Sequence, residues 1–339
     1  MYWGDLSKYR NQLYGLSILW IMIFHVYETF QSQLTFNWIS SVIFLNGYIG
    51  VDLFLFLSGI SMHYAMKKYD ELNLKNIVNF YRRRIWKILK VYIVFCIPFL
   101  VVRDLIVGHD FSKFVKQLCF LDNHVSSFWY LFAIIICYLI YPFIEKCLRN
   151  EKKNIIIAIL ILYISSLFIM EKYIPGFFEA YEVLLTRIPI FVIGALYSSK
   201  VCKNDRVTLG EWSVLLLIIL LKSPVVYGLS YIDAGVAAVV SRLLLGGIGV
   251  GVAFLALFLV KVYENTVIDS FIKKIGTFTL EIYVFHIAFR GVFLVALSYV
   301  GIEITEYHQI ILFGIAYICI SLIGSGILAG LIKRLRMRK

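Results

Sequence analysis

The sequence predicts an all-α integral membrane protein of about ten transmembrane helices in one bundle, with short loops, two interfacial amphipathic helices and both termini in the cytoplasm. Composition, the length of the apolar runs and the placement of the cations predict it. Of the 339 residues, 61% are apolar and 16% charged, and the mean hydropathy is +0.84. A soluble chain runs about 45–50% apolar and about 25% charged, so this much apolar surface cannot all enter one water-facing core. Crossing the hydrocarbon takes about 20 apolar residues. Ten stretches reach that length: 11–30, 42–65, 85–107, 127–148, 154–174, 183–199, 212–232, 236–260, 275–300 and 309–332.

Lys and Arg concentrate on the cytoplasmic side of membrane proteins. The N-terminus and every second connection hold 25 of the 33 Lys and Arg, the other connections hold 5 with Arg103 and Lys222 counted there, and Arg187, Arg242 and Arg290 lie inside spans. The split supports an even number of spans and reads the formal net charge of +12 as topology rather than nucleic-acid binding. Two connections have helical apolar spacing with cations on the other face: 72–88, through Leu74, Ile77, Val78, Tyr81 and Ile85, and 109–121, through Phe111, Phe114, Val115 and Leu118. The first span ends in His25, Tyr27 and Glu28 without a small-residue cleavage site, which predicts a retained anchor. Cysteines 96, 119, 137, 147, 202 and 319 show no C-x-x-C spacing and read as small core residues. No internal repeat, G-x-G-x-x-G or Walker A loop occurs, and residues 1–339 read as one transmembrane domain with no appended soluble domain.

Ionisable side chains inside a bilayer are costly and mark pairs or cavities. At 1.5 Å per residue, His25 lies roughly 21 Å along span 1, with Glu28 on the same face. Asp52 falls roughly 15 Å into span 2, Arg187 and Arg242 within roughly 10 Å of the outer surface, and Glu281, His286 and Arg290 roughly 9, 16 and 22 Å along span 9. Together they suggest a polar cavity in the outer half. Histidine suits general-base work and a neighbouring carboxylate can orient it; His25 equally suits a hydrogen-bonded interfacial histidine. Arg187 fits a counter-ion or a snorkelling cation, and Asp52 and Glu281 fit structural ion pairs with the arginines. The Arg82, Arg83, Arg84 run sets topology or attracts a phosphate-rich ligand.

These residues sit in segments that resemble the membrane acyltransferase 3 family: "LYGLSILWIMIFH" from Leu13 to His25, "GYIGVDLFLFLSG" from Gly47 to Gly59, "FYRRRIWKILK" from Phe80 to Lys90, "FWYLFAIIICYLIYPF" from Phe128, "RIPIFVIGALY" from Arg187 and "GTFTLEIYVFH" from Gly276 to His286. The resemblance covers essentially the whole chain and is nearest the branch that modifies capsular or exported polysaccharide. It implies a multi-pass protein of the bacterial cytoplasmic membrane that transfers an acyl group, normally acetyl, from cytoplasmic acyl-CoA to a hydroxyl of a cell-surface polysaccharide or its lipid-linked precursor. His25 matches the family's essential histidine, the expected base, with Glu28 to orient it. Arg84 and Lys87 match a basic pair tied to the acyl donor, and Arg82 and Arg83 join them. Tyr14 stands where an arginine is usual, with Arg10 one turn earlier; Lys87 replaces an arginine and Lys90 a common proline.

Candidates for lining the acceptor cavity or holding the oxyanion are Arg10, Tyr14, Asp52, Trp129, Arg187, Glu281, His286 and Arg290. No metal and no tightly bound cofactor is expected beyond acetyl-CoA or another acyl-CoA as co-substrate. Expected partners are membrane lipid, the glycan acceptor and either a second copy or polysaccharide-assembly proteins, without nucleic acid. The rival readings are a transporter or flippase of a lipid-linked sugar, against which neither inverted repeats nor paired broken helices are found, and a structural member of a polysaccharide-assembly complex.

Overall fold

The computed structural model describes residues 1–34, 44, 46–107, 111–119, 128–301 and 304–337. Among them the regular structure is helical: α1 (Asp5–Lys8), α2 (Arg10–Phe30), α3 (Ile49–Lys67), α4 (Leu74–Val91), a π-helical turn (Tyr92–Cys96), α5 (Ile97–Val107), α6 (Phe111–Leu118), α7 (Trp129–Arg149), α8 (Lys153–Tyr173), α9 (Pro175–Leu185), α10 (Ile188–Lys203), α11 (Leu209–Ser230), α12 (Ala234–Val262), α13 (Val267–Thr277), α14 (Thr279–Tyr299) and α15 (Tyr307–Met337). Ten helical runs are long and apolar enough to cross a membrane, and each answers one stretch expected from the sequence. The expected start of the second span at 42 and 43 lies outside the described residues, as do positions 109–110 and 120–121 around α6.

Local chemistry sets the departures. The amphipathic stretch 72–88 is not a separate element: α4 runs on through the π turn into α5. Pro98 lacks an N–H and its ring crowds the carbonyl four residues back, and the wider π turn over that carbonyl accommodates it. Span 6 is broken between α9 and α10, where Arg187 caps α10 ahead of Pro189. Span 9 divides at Phe278, so Glu281 falls in the first turn of α14, where a carboxylate favours the helix dipole. Arg103 and Lys222, assigned to outer connections by sequence, lie within α5 and α11. The apolar run on either side of Lys222 is long enough to carry one cation inside the helix.

The chain divides into two compact units. The first comprises Met1–Arg10, Asp52–Ile88 and Val115–Val262. Its α3 and α10 run side by side in one direction: Asp52 pairs with Arg187, and a turn or two further along a Cβ on Gly59 would strike the Phe191 carbonyl and one on Gly194 the Phe56 carbonyl. Glycine permits that backbone approach. The N-terminal segment is fastened to the same unit. Trp3 packs on Tyr197 and Phe254 and donates its indole N–H to Glu211, while Lys261 donates to Asp5 at 2.7 Å. The same Glu211 completes a capping box with Thr208 at the start of α11.

The second unit comprises Asn11–Val51, Leu89–Phe114 and Tyr263–Lys339. Here α2 meets α13 through two glycines, Gly15 against the Ile272 carbonyl and Gly276 against the Asn11 carbonyl. Gly47, just before α3, and Gly50, in its first turn, bring the chain onto α2, against the Trp20 and Ser17 carbonyls. Rings of Phe289, Phe293, Phe313 and Tyr317 stack between α14 and α15. These contacts fix the α2–α14 pair that carries the chemistry below.

Candidate active site

His25 and Glu28 are three residues apart on α2, and that spacing puts them on one face. His25 Nδ1 lies 3.0 Å from Glu28 Oε2. From α14, Arg290 brings Nη1 to 2.5 Å from the same carboxylate oxygen and 2.9 Å from His25 Nδ1. Glu28 and Arg290 thus meet at the same ring nitrogen with opposite demands: the carboxylate accepts from a protonated Nδ1, whereas the guanidinium donates only to an unprotonated one. In the tautomer bonded to Glu28, Nδ1 carries the proton and Nε2 the lone pair. The side chain of His25 is 17% exposed and that of Glu28 46%, so the pair is reachable.

His286, one turn before Arg290, adds a second imidazole with its ring centre 5.5 Å from that of His25. It is fully buried. Its Nδ1 donates to the Ile282 carbonyl at 2.7 Å, which leaves Nε2 as an acceptor, and that atom has no hydrogen-bond partner among the described residues. Tyr317 donates its hydroxyl to the His286 carbonyl at 3.2 Å. Glu281 is buried in the first turn of the same helix, five residues before His286. Tyr14 sits on α2 eleven residues before His25, roughly 16 Å along the axis, and Arg10 lies roughly 22 Å from it. Arg10 donates to Ser61 Oγ at 3.2 Å in the first unit.

The remaining candidates fall in the first unit. Asp52 and Arg187 are almost completely buried and lie 3.3 Å apart. Arg187 also donates to the Val183 carbonyl at 3.0 Å and sits over the Trp129 ring at 5.3 Å from its centre. Arg187 therefore caps a helix, neutralises a buried carboxylate and stacks on an aromatic face. On α4, Arg82, Arg83 and Lys87 are exposed and Arg84 is half-buried. Lys68, just past α3, belongs with them: partial desolvation, and after it the charges of Arg83 and Arg84, hold its ammonium below the ordinary lysine value.

The sequence reading missed one cluster. Glu145, buried on α7, accepts from Tyr141 Oη at 2.8 Å and Arg149 Nε at 3.0 Å, and pairs with His63 Nδ1 at 3.0 Å. Arg149 uses its other nitrogens on the carbonyls of Met66, Tyr69 and Asp70, the open end of α3. The Met66 carbonyl also accepts from the Tyr69 N–H, and the guanidinium adds a donor to the carbonyls at and just past the end of the helix. The i,i+4 ladder Tyr141, Glu145, Arg149 was the available signal. No group of three His, Cys, Asp or Glu side chains that could hold a metal ion occurs among the described residues.

A helical protein with ten runs long and apolar enough to cross a membrane, in which a histidine and a carboxylate on one helix meet an arginine from another, is by class a multi-pass membrane protein with a polar cluster among its spans. Comparison specifies the kind. A family model for an acyltransferase domain matches residues 11–330, and the chain belongs to the acyltransferase 3 family of membrane acyltransferases. No curated protein and no solved structure matches it.

Proposed function

We propose that the protein is an O-acyltransferase of the bacterial cytoplasmic membrane, transferring an acyl group, normally acetyl, from cytoplasmic acyl-CoA to a hydroxyl of a cell-surface polysaccharide or its lipid-linked precursor. The observation that carries this reading is the His25–Glu28–Arg290 cluster in a chain of this family. Nε2 of His25 takes the hydroxyl proton as the oxygen attacks the thioester carbonyl. Glu28 holds the ring through Nδ1 and stabilises the imidazolium that forms. Arg290 fixes Glu28 and puts a positive charge beside the developing oxyanion. The tetrahedral intermediate collapses by breaking the C–S bond, and the thiolate leaves with a proton from the imidazolium, returning His25 to its starting state.

On the donor side, the CoA phosphates suit the cations of α4, Arg82, Arg83, Arg84 and Lys87, with Lys68 beside them. Arginine forks match phosphate oxygens in pairs, and Lys87 contributes a point charge. The test is transfer of labelled acetyl from acetyl-CoA to glycan by purified protein in liposomes. Arg84→Ala is expected to raise the KM for acetyl-CoA with less effect on kcat; an unchanged KM would remove the α4 cations from the donor site. Loss of O-acetyl groups from the surface polysaccharide of a deletion strain, restored by the intact gene, tests the acceptor class.

A further inference from the structure

The first unit carries more positive charge at bilayer depth than its own carboxylates neutralise. Lys222 stands eight residues before the end of α11 at Ser230, roughly 12 Å along the axis. Ile218 of α11 packs on Gly247 of α12, and Ile219 on Gly251. Because the two helices run in opposite directions, Lys222, one turn further along α11, comes level with Arg242, and the two charges act on each other. Arg242 Nη2 donates to Glu182 Oε1 at 2.9 Å, and its charge also reaches Asp52. Val183, next to Glu182, accepts from Arg187, the partner of Asp52.

The cluster thus holds Arg187, Arg242 and Lys222 against Asp52 and Glu182. Both carboxylates are already engaged by arginines, and Lys222 makes no hydrogen bond to a carboxylate among the described residues. Of the other acids nearby, Glu179, three residues before Glu182 on α9, is exposed, and Asp233 and Glu171 stand near the start of α12. Asp233 accepts from the N–H groups of Gly235 and Val236, and Glu171 lies against Gly235, seven residues from Arg242. Two cations at one level on neighbouring spans favour an anion within reach of both. Trp129, under Arg187, adds an aromatic face of the kind on which the apolar side of a sugar packs.

We propose that Arg242 and Lys222 bind an anionic group, a carboxylate or a phosphate, carried by the acceptor, so that the substrate is an acidic glycan. This rests on the reading of the chain as a transferase to a glycan hydroxyl. The test is direct binding, without chemistry, to purified protein in phosphatidylcholine nanodiscs. The probes are an oligosaccharide containing hexuronic acid, the same oligosaccharide after carboxyl reduction, and a phosphorylated neutral oligosaccharide. The wild type is expected to bind an acidic probe about tenfold or more tighter than the reduced one, the scale of a hydrogen-bonded charge. That preference disappears in Lys222→Met and Arg242→Met and returns in Lys222→Arg. His25→Ala keeps it, so a failure of the base assignment leaves this result untouched.

Equal binding of acidic and neutral probes by the wild type overturns the proposal, as does a preference that survives in Lys222→Met. A third arm adds phosphatidylglycerol to the nanodiscs: lipid retention that depends on Lys222, with no glycan preference, assigns the charge to a lipid headgroup and also overturns it. Lys222→Gln replaces Lys222→Met if the latter lowers the melting temperature.

Discussion

Glu28 contacts His25 at Nδ1, and the proposed mechanism uses the other ring nitrogen. Glu28→Gln keeps the size and removes the charge that stabilises an imidazolium. It is expected to lower kcat by about 10- to 100-fold with the KM for acyl-CoA nearly unchanged, read from initial rates of labelled transfer. Glu145 makes a contrasting case. It is buried, carries three side-chain partners and belongs to the first unit, whereas His25 belongs to the second. Removing one member of such a network leaves the others uncompensated, so Arg149→Ala is expected to cost about 3–5 kcal/mol. Thermal unfolding in detergent checks this, and an unchanged melting temperature would show that the network does not hold α3 to α7. Of these two sites the His25–Glu28 pair was legible in sequence, because residues three apart on one helix share a face. Arg290 was legible only as a cation at the right depth; its partners lie 262 and 265 residues away in sequence, and spacing cannot report a contact of that range.

At the scale of elements, the spans were plain because an apolar run of bilayer length has few alternatives. The interruptions were less so. Pro98, Pro189 and the Gly276–Phe278 stretch mark the π turn and two helix breaks, but proline and glycine also sit inside unbroken helices here, as Pro142 in α7 and Pro224 in α11 do. Which of them breaks a helix depends on neighbours that re-satisfy the backbone. The glycines at helix crossings follow the same logic. A methyl on Gly59 or Gly194 would press into a carbonyl of the facing helix, so Gly59→Ala is expected to cost about 1–3 kcal/mol by overpacking. Gly210, with open space around it, supplies the control: Gly210→Ala is expected to leave the melting temperature within error or raise it.

For the molecule as a whole, the proposal takes the cations of α4 as the surface that meets the acyl-CoA phosphates. Exposed charges are screened over about 8–10 Å at physiological salt. The KM for acyl-CoA is therefore expected to rise with ionic strength in the wild type and to rise less steeply in Arg82→Ala with Arg83→Ala, as a salt series of initial rates would show. An identical slope in both would separate donor binding from α4. The +12 net charge could not by itself distinguish the cations that set topology from those inside the membrane. Lys222 illustrates why: by count it belonged to a loop, whereas α11 carries it at depth beside Arg242.

The central claim is that this family member uses His25 as the base for acyl transfer. The most direct measurement is the rate at which purified wild-type and His25→Ala proteins, reconstituted in liposomes with matched melting temperatures, transfer labelled acetyl from acetyl-CoA to the glycan. The account predicts that His25→Ala retains acetyl-CoA binding and loses transfer by about 100-fold or more. Transfer at the wild-type rate by His25→Ala would contradict it.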